Sequence, residues 1–185
     1  MSGPKRSASP FHHRPAGRDD AEALYGLAER CFAQWGGYGR TIITWSTLEG
    51  VQTWLVDEAD GGLIGFIMFA QIQSAPESVP STEILAIAAH PAARGRGIGA
   101  YLLQSALSEI RRWQGVGESV WLTVATDNVA GQRLFGGAGF RTREGPSAAY
   151  PNGVESSRMA FPLGTGATPE INPPLVRIWA ETALR

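Results

Sequence analysis

The stretch EILAIAAHPAARGRGIGAYLL, residues 83–103, constrains the fold more than any other part of the chain. Its first third is an apolar strand pattern, and apolar residues at helical spacing then predict a helix over 98–114. The turn between them carries Gly95, Gly97 and Gly99, which accept backbone dihedrals and close approaches that other residues resist. The unpaired N–H groups and the positive dipole end of the helix start favour an anion. The pattern therefore predicts a loop that binds a pyrophosphate.

Two other phosphate-binding patterns compete for this turn. A Walker loop needs a lysine and then a hydroxyl residue after its last glycine, and neither follows Gly97 or Gly99. A dinucleotide fingerprint needs G-x-G-x-x-G directly after the strand, whereas here G-x-G-x-G follows the four-residue connection 90–93. The Walker pattern fails and the dinucleotide pattern matches weakly.

The remaining periodicity predicts an α/β (α+β) domain with a mixed central sheet of about six to seven strands and about four flanking helices. Predicted strands cover 11–15, 53–58, 63–72, 82–89, 119–125, 140–143 and 155–162. Predicted helices cover 19–33, 98–114 and 128–138, with a short second helix favoured within 41–54. We interpret 1–10 as a disordered tail, 11–163 as the domain and 164–185 as a C-terminal extension that carries a short helix over 175–184.

Charge and composition exclude several classes of function. The 185 residues carry 16 basic and 17 acidic side chains, so no general attraction to nucleic acid or to anionic membranes is expected. A single cysteine, Cys31, provides no internal disulfide and favours the cytoplasm. His12 and His13 have no further ligands at metal-binding spacing, so we expect no metal. Apolar residues of the extension leave room for a homodimer.

Four short motifs in a fixed order resemble the GNAT superfamily of N-acetyltransferases. The turn fits the coenzyme A pyrophosphate pattern [QR]-x-x-G-x-[GA], and the resemblance covers roughly residues 11–163. The ending is similar to the ribosomal-protein N-terminal acetyltransferase branch. The residues that carry the resemblance are Arg94, Gly97 and Gly99 in the turn, Leu63 to Phe66 in a central hairpin, Asn128 followed by Leu134, Phe135, Gly139 and Phe140, and Tyr150-Pro151-x-Gly153.

The resemblance implies acetyl-CoA as co-substrate and an amine as acceptor. The strand that ends at Ala89 should splay from its neighbour and pair with the pantetheine arm, and the amides of the turn should hold the pyrophosphate. Asn128 should contact the coenzyme, with a plain helix N-cap as the open alternative. The implied cofactor-binding residues are Ile87, Ala88, Ala89, Arg94, Gly95, Arg96, Gly97, Ile98, Gly99, Ala100, Asn128 and Phe135.

Two catalytic groups of the family are missing. Phe135 stands where the family has the tyrosine that protonates the departing thiolate, and Thr123 stands where the N-terminal acetyltransferase branch has a glutamate. A thiol has a reference pKa of about 8.5, so a thiolate leaves without a dedicated acid. Tyr150 is the candidate polar contributor, whereas Tyr101 on the helix after the turn is expected to pack in the core.

Glu83 is the candidate general base. It lies eleven residues before Arg94, where histone-acetylating members of the superfamily place that group, and a glutamate that only faces water at the strand edge is the alternative. Cys31 is expected to lie in the core and away from the matched site, which favours direct attack over a covalent enzyme intermediate. The sequence thus predicts an acetyl-CoA-dependent N-acetyltransferase that acts on a peptide N-terminus or a small amine. The alternative is a coenzyme A-binding sensor with little or no activity.

Overall fold

The computed structural model describes residues 11–73, 76–113, 117–147, 150, 152–164, 171 and 173–177. Within these residues it contains eight strands and four α-helices. The strands are β1 (Arg14–Pro15), β2 (Gln52–Asp57), β3 (Leu63–Gln73), β4 (Ser81–Ala89), β5 (Ser119–Ala125), β6 (Arg141–Ser147), β7 (Ser156–Pro162) and β8 (Leu175–Arg177). The helices are α1 (Ala21–Phe32), α2 (Tyr38–Ser46), α3 (Ile98–Ile110) and α4 (Val129–Ala138). The predicted mixed α/β (α+β) fold is confirmed.

All strands join one sheet in the order β1-β2-β3-β4-β5-β7-β6, and β8 pairs with β3 beside this path. The β4–β5 and β3–β8 pairs are parallel, and the other neighbours are antiparallel. The parallel β4–β5 pair is joined through α3, as a crossover connection requires. The glycine turn between β4 and α3 therefore follows a central strand of the sheet.

Two hydrophobic cores lie on opposite faces of the sheet. On one face, α3 packs through Leu102 and Leu103 against β5 residues such as Leu122. On the other face, α1 and α2 pack against Phe66 and Met68 of β3. Because β3 is covered on both faces, it is apolar along most of its length instead of alternating.

Several predicted boundaries shift in the structure. Strand β5 occupies the predicted residues, and α3 starts where expected but ends at Ile110 instead of residue 114. The second helix exists but begins earlier, at Tyr38, after Gly37 adopts a left-handed conformation with φ of 55°. Strand β6 extends to Ser147, beyond the predicted 140–143. The predicted tail 1–10 lies outside the described residues.

The helix predicted over 175–184 is wrong where the chain is described. Leu175–Arg177 form β8, which runs parallel to Gln71–Gln73 of β3. Strand β2 pairs with β3 only as far as Phe69, so the last residues of β3 offer an unpaired edge to another strand. Burial of Val176, which is 4% exposed, adds an apolar contact that favours the strand. Residues 178–184 lie outside the described residues.

Gly50 provides a test of how closely β8 packs. A Cβ atom at Gly50 would lie 2.8 Å from the carbonyl oxygen of Pro174, and φ there is +94°. Gly61 has a similar φ of +90° with nothing within 4 Å, so it is the matched control. Both alanine variants carry the left-handed penalty of about 1–2 kcal/mol. We expect Gly50→Ala to lower the free energy of unfolding by at least about 1 kcal/mol more than Gly61→Ala in urea titrations. Equal losses would contradict the close contact with β8.

Candidate active site

The sheet opens between β4 and β5. These strands pair only at Thr82 with Val120, Glu83 with Trp121 and Ile84 with Leu122. Beyond that point β4 remains paired with β3 up to Ala89, and β5 remains paired with β7 up to Ala125. A gap therefore separates two central strands that each remain part of the sheet.

A β-bulge marks the start of the gap. On β3, Met68 pairs with Ala86 and the next residue, Phe69, pairs with Ile84, so Leu85 is an extra residue in β4. A bulge bends its strand and increases the local twist, which accounts for the departure of β4 from β5 directly after Ile84.

The backbone of β4 points polar groups into this gap. The N–H of His90 donates to the carbonyl of Ile64 at 2.8 Å, so Gly65 and Ala89 form a pair that exchanges no hydrogen bonds. The N–H and C=O groups of Ala89 and Ile87 must then face the β5 side. In the described part of the chain, no strand forms hydrogen bonds with these backbone groups. An extended polar chain could pair with this edge as a strand would.

The turn after β4 leaves open space in front of its backbone. Gly95 and Gly97 have φ of +79° and +88°, and a Cβ on either would meet nothing within 4 Å. The first turn of α3 carries no acidic side chain, and its leading N–H groups are free of intrahelical partners. Gly99 has a different role, because a Cβ there would lie 3.2 Å from Leu134 of α4 and push the two helices apart. The loop thus fits an anion such as a pyrophosphate.

Two arginines flank this loop. Arg96 makes a two-pronged ion pair with Glu58 of the β2–β3 turn, with both N–O distances 2.8 Å, and its guanidinium lies 5.9 Å from the ring centre of Phe11. This pairing lowers the pKa of the Glu58 carboxyl. Arg94 lies close enough to the Cys31 thiol to act on its pKa. Guanidinium groups therefore border the loop on both sides, and that of Arg96 is paired with a carboxylate.

The expectation that Cys31 lies away from the matched site is wrong. Its thiol is 3.5 Å from the carbonyl oxygen of Ala89, at the edge of the gap. Helix α1 packs on the face of the sheet beside the end of β4, and the sequence separation of 58 residues hid that contact. Burial raises the pKa of the Cys31 thiol, with Arg94 and Arg30 acting in the opposite direction. A buried protonated thiol is a poor nucleophile, so direct attack is still favoured on chemical grounds.

Comparison with known proteins identifies the family. A model of the acetyltransferase (GNAT) family matches residues 21–140. The chain belongs to the GNAT family of acetyltransferases. It is an acetyl-CoA-dependent acyltransferase by this membership.

Individual relatives agree with the family. The chain is 29% identical over 114 residues to an N-alpha-acetyltransferase from Sulfurisphaera tokodaii, covering 58% of this chain and 68% of the relative. The fold is similar to the Escherichia coli ribosomal-protein-S18-alanine N-acetyltransferase, with a TM-score of 0.67 and 20% identity over 85% of this chain and 96% of that one. It is also similar to a Salmonella typhimurium protein solved with its cofactor acetyl-CoA, with a TM-score of 0.70 and 22% identity over 87% and 98% of the two chains.

Two residues outside the loop were expected to contact the coenzyme, and both have a role in the packing of this acetyltransferase. Asn128 is the N-cap of α4, and its side-chain oxygen accepts a hydrogen bond from the N–H of Gly131 at 2.9 Å. Phe135 is 6% exposed and packs edge-on against Phe140. The N-cap alternative for Asn128 is therefore present in the structure. A coenzyme contact of either residue stays a prediction.

An aromatic cluster lies at the end of β5, next to the gap. Tyr150 lies 5.6 Å from Tyr38 and 6.4 Å from Trp35, measured between ring centres. The indole N–H of Trp35 donates to Asp127 at 2.9 Å, and the side-chain amide of Asn152 donates to the carbonyl of Gln34 at 2.5 Å. The segment between α1 and α2, the end of β5 and the β6–β7 loop are thereby held together. Burial, followed by the nearby Tyr38, raises the pKa of Tyr150 to about 12.

Glu83 lies at the closed end of the gap and has a charged partner. Its Oε1 accepts hydrogen bonds from the Ser81 hydroxyl at 2.8 Å and from Nη2 of Arg158 at 3.0 Å. The guanidinium of Arg158 in turn lies 4.5 Å from the ring centre of Trp121. Arg158 was not predicted from the sequence as a site residue. An arginine within an otherwise largely apolar strand was the available signal.

Other candidate residues fall outside this site. His13 stacks on Trp54 and bonds the Tyr101 hydroxyl at 2.9 Å, on the face of the sheet that α3 covers. Among the described residues, no three His, Cys, Asp or Glu side chains are grouped to hold a metal ion. None of the described helices has the length and apolar character that a membrane span requires.

The raised pKa of Tyr150 predicts a loss of stability at high pH. The phenol ionises near pH 10 in the unfolded chain and near pH 12 in the folded one, so between these values the unfolded state holds fewer protons and stability falls as pH rises. Allowing for solvent screening, we expect Tyr150→Phe to remove about 1 kcal/mol of the loss between pH 9 and pH 11 in urea titrations. The exposed Tyr25→Phe variant is the control. An unchanged pH dependence in Tyr150→Phe would contradict the buried phenol.

Proposed function

We propose that this GNAT protein transfers an acetyl group from acetyl-CoA to a primary amine by direct attack of the amine on the thioester. The observation that carries the proposal is the gap between β4 and β5, which opens directly beside a glycine turn with free helix N–H groups. Acetyl-CoA supplies the acetyl group in activated form. A strand edge whose backbone groups pair with no described strand fits the amide-bearing arm of such a molecule, and a glycine turn with free helix N–H groups fits its pyrophosphate.

The backbone would provide most of the coenzyme contacts. The amides from Gly95 to Ala100, including Arg96, Gly97, Ile98 and Gly99, would hold the pyrophosphate, with Arg94 at the entry. The polar groups of Ile87 and Ala89 would pair with the extended arm beside Ala88. The N–H groups that face the gap would polarise the thioester carbonyl, because fixed donors stabilise the negative charge that develops on oxygen. Asn128 would contact the arm from the start of α4.

Glu83 would accept a proton from the acceptor ammonium, directly or through water. Only the free amine can attack, and an α-amine with a reference pKa near 8 or a lysine amine near 10.4 is largely protonated at pH 7. As the amine nitrogen bonds to the acetyl carbon, the carbon–sulfur bond breaks, coenzyme A leaves as a thiolate, and the second proton that the nitrogen loses passes to water or to that thiolate. The pKa of Tyr150, about 12, keeps its phenol protonated. It can donate a hydrogen bond, whereas full proton transfer to a thiolate is unfavourable.

Relatives support a proposal for the acceptor class. Resemblance to an N-alpha-acetyltransferase from Sulfurisphaera tokodaii supports a peptide N-terminus, and a small amine is the other candidate. The single cysteine and the nearly neutral charge support work in the cytoplasm without nucleic acid or membrane partners. A homodimer stays a prediction.

Calorimetric titration with acetyl-CoA, with NAD and ATP as controls, tests the cofactor. Release of free coenzyme A thiol across a panel of primary amines tests the transfer. We expect binding of acetyl-CoA alone and turnover on at least one amine. Tighter binding of NAD or ATP would contradict the proposal.

A second candidate function is a coenzyme A-binding sensor with little or no activity. The buried Phe135 and the exposed Thr123 favour it, since both stand where relatives of the resembled branch carry catalytic groups. Binding of acetyl-CoA without turnover on any amine would favour the sensor. The intact turn and gap are needed by both functions, so binding alone does not separate them.

Gly97→Ala tests the turn as the pyrophosphate site. The new Cβ would enter the space in front of the loop, where a pyrophosphate would approach. We expect the dissociation constant for acetyl-CoA to rise at least about tenfold, because displacement of charge-assisted hydrogen bonds costs about 1.5–3 kcal/mol. Gly61→Ala has a similar φ and similar open space outside the site, so it controls for backbone strain. Equal affinities of the two variants would place the pyrophosphate elsewhere.

Glu83→Gln separates the base from the scaffold. We expect unchanged affinity for acetyl-CoA, since the proposed cradle is made of backbone amides. Turnover at pH 7 should fall by roughly 10²-fold, the low end for a positioned base, and recover in part as pH rises and free amine accumulates. Glu109→Gln on α3, which removes a similar pair with Arg112 just after that helix, is the control. Wild-type turnover by Glu83→Gln at pH 7 would exclude Glu83 as the general base.

A further inference from the structure

Next to the gap, one face of the sheet is uncovered. In β5, Val120 and Leu122 point into the core beneath α3, so Trp121 and Thr123 point to the opposite face. Thr123 is exposed although β5 is a central strand, with β4 on one side and β7 on the other. Neither α1 nor α2 therefore covers this part of the sheet, and an uncovered surface extends from the gap towards Trp121.

This uncovered surface carries an ion pair in a fixed position. Glu83 of β4 and Arg158 of β7 meet across β5 at 3.0 Å, and their side chains are 24% and 33% exposed. The guanidinium lies over the Trp121 ring, which restricts its position and orientation. A glutamate and an arginine from two strands with only β5 between them thus form one preorganised site beside the gap.

Both members of the pair retain unused binding capacity. Among the described residues, the hydrogen bonds of Glu83 involve Oε1 alone, and Arg158 donates through Nη2 alone. Glu83 can therefore accept from an ammonium through Oε2. Arg158 can donate through its other N–H groups to a carboxylate, for which the planar guanidinium is the best-matched side chain.

We propose that Glu83 and Arg158 select an acceptor that carries a carboxylate close to its reactive amine. This inference rests on the acetyl transfer proposed above and specifies its acceptor. The amine would lie at Glu83, one residue before the gap opens, and the carboxylate would lie on Arg158. An acceptor with a second positive charge near its amine would instead meet the guanidinium.

Two kinds of molecule contain this pair of charges. A free α-amino acid has its carboxylate one carbon from the amine, and a peptide that begins with aspartate or glutamate has a side-chain carboxylate nearby. Two substrate pairs distinguish them: L-leucine with L-leucinamide, and Asp-Ala-Ala-amide with Asn-Ala-Ala-amide. The amine of leucinamide is less basic than that of leucine, so intrinsic reactivity at neutral pH favours the amide. A preference for the acid must then come from the protein.

The test measures kcat/KM for all four acceptors at saturating acetyl-CoA by release of free thiol. We expect the carboxylate-bearing member of at least one pair to be preferred by roughly 10- to 100-fold, the value of one charge-assisted hydrogen bond. Arg158→Gln should reduce that preference to within about threefold without changing affinity for acetyl-CoA. Arg133→Gln, an exposed arginine on α4 across the sheet, should retain the preference.

The possible results distinguish the role of Arg158 in acceptor choice from the proposed acetyl transfer itself. Turnover without a preference for the acids, or a preference that persists in Arg158→Gln, would overturn the role of Arg158 and leave acetyl transfer standing. Absence of turnover with every amine would overturn acetyl transfer and this inference with it. Arg158→Lys keeps the charge and the sheet contact. If Arg158→Gln fails to fold, a drop in preference of about tenfold in Arg158→Lys supports the bidentate role, and no change overturns it.

Discussion

The divergence of β4 from β5 is the constraint on which the rest of the site depends. Two parallel strands in the middle of a sheet normally satisfy each other's backbone groups, and leaving such groups unpaired in a buried place is costly. Here the extra residue Leu85 turns β4 away after Ile84, and the outer pairings to β3 and β7 hold both strands in the sheet. The unpaired edge is therefore a stable feature of the fold, and it is available to a ligand.

The position of the turn follows from the same geometry. Because β4 and β5 are parallel, the chain must cross over between them, and α3 forms this connection. The N-terminus of α3 therefore follows the end of β4, which is one edge of the gap. Gly97 allows the reversal with a left-handed backbone, and Gly99 lets α3 approach α4. A glycine-rich helix start with free N–H groups and an open strand edge thus become neighbours.

The sequence predicted the elements that local patterns control, including the glycine turn between β4 and α3. Strand β5 and the start of α3 came out correctly because alternation, helical spacing and glycine placement are local signals. The strand at Leu175 and the position of Cys31 did not, because an unpaired edge on β3 and a contact across 58 residues are tertiary facts. Local propensity for a C-terminal helix was overridden by a free sheet edge.

Glu83 shows the same limit in the chemistry. Its place in the sequence suggested a base, with a glutamate that only faces water as the alternative, whereas the structure gives it a partner on β7, 75 residues away. An isolated carboxylate could only have been a base or a solvated side chain. Paired with a guanidinium that is stacked on Trp121, it becomes half of a site that can recognise two opposite charges at once. Among the described residues, Ser81 and Arg158 bond only Oε1 of Glu83, which leaves Oε2 to accept a hydrogen bond from an amine. Selection of the acceptor and its activation can therefore be two properties of one ion pair.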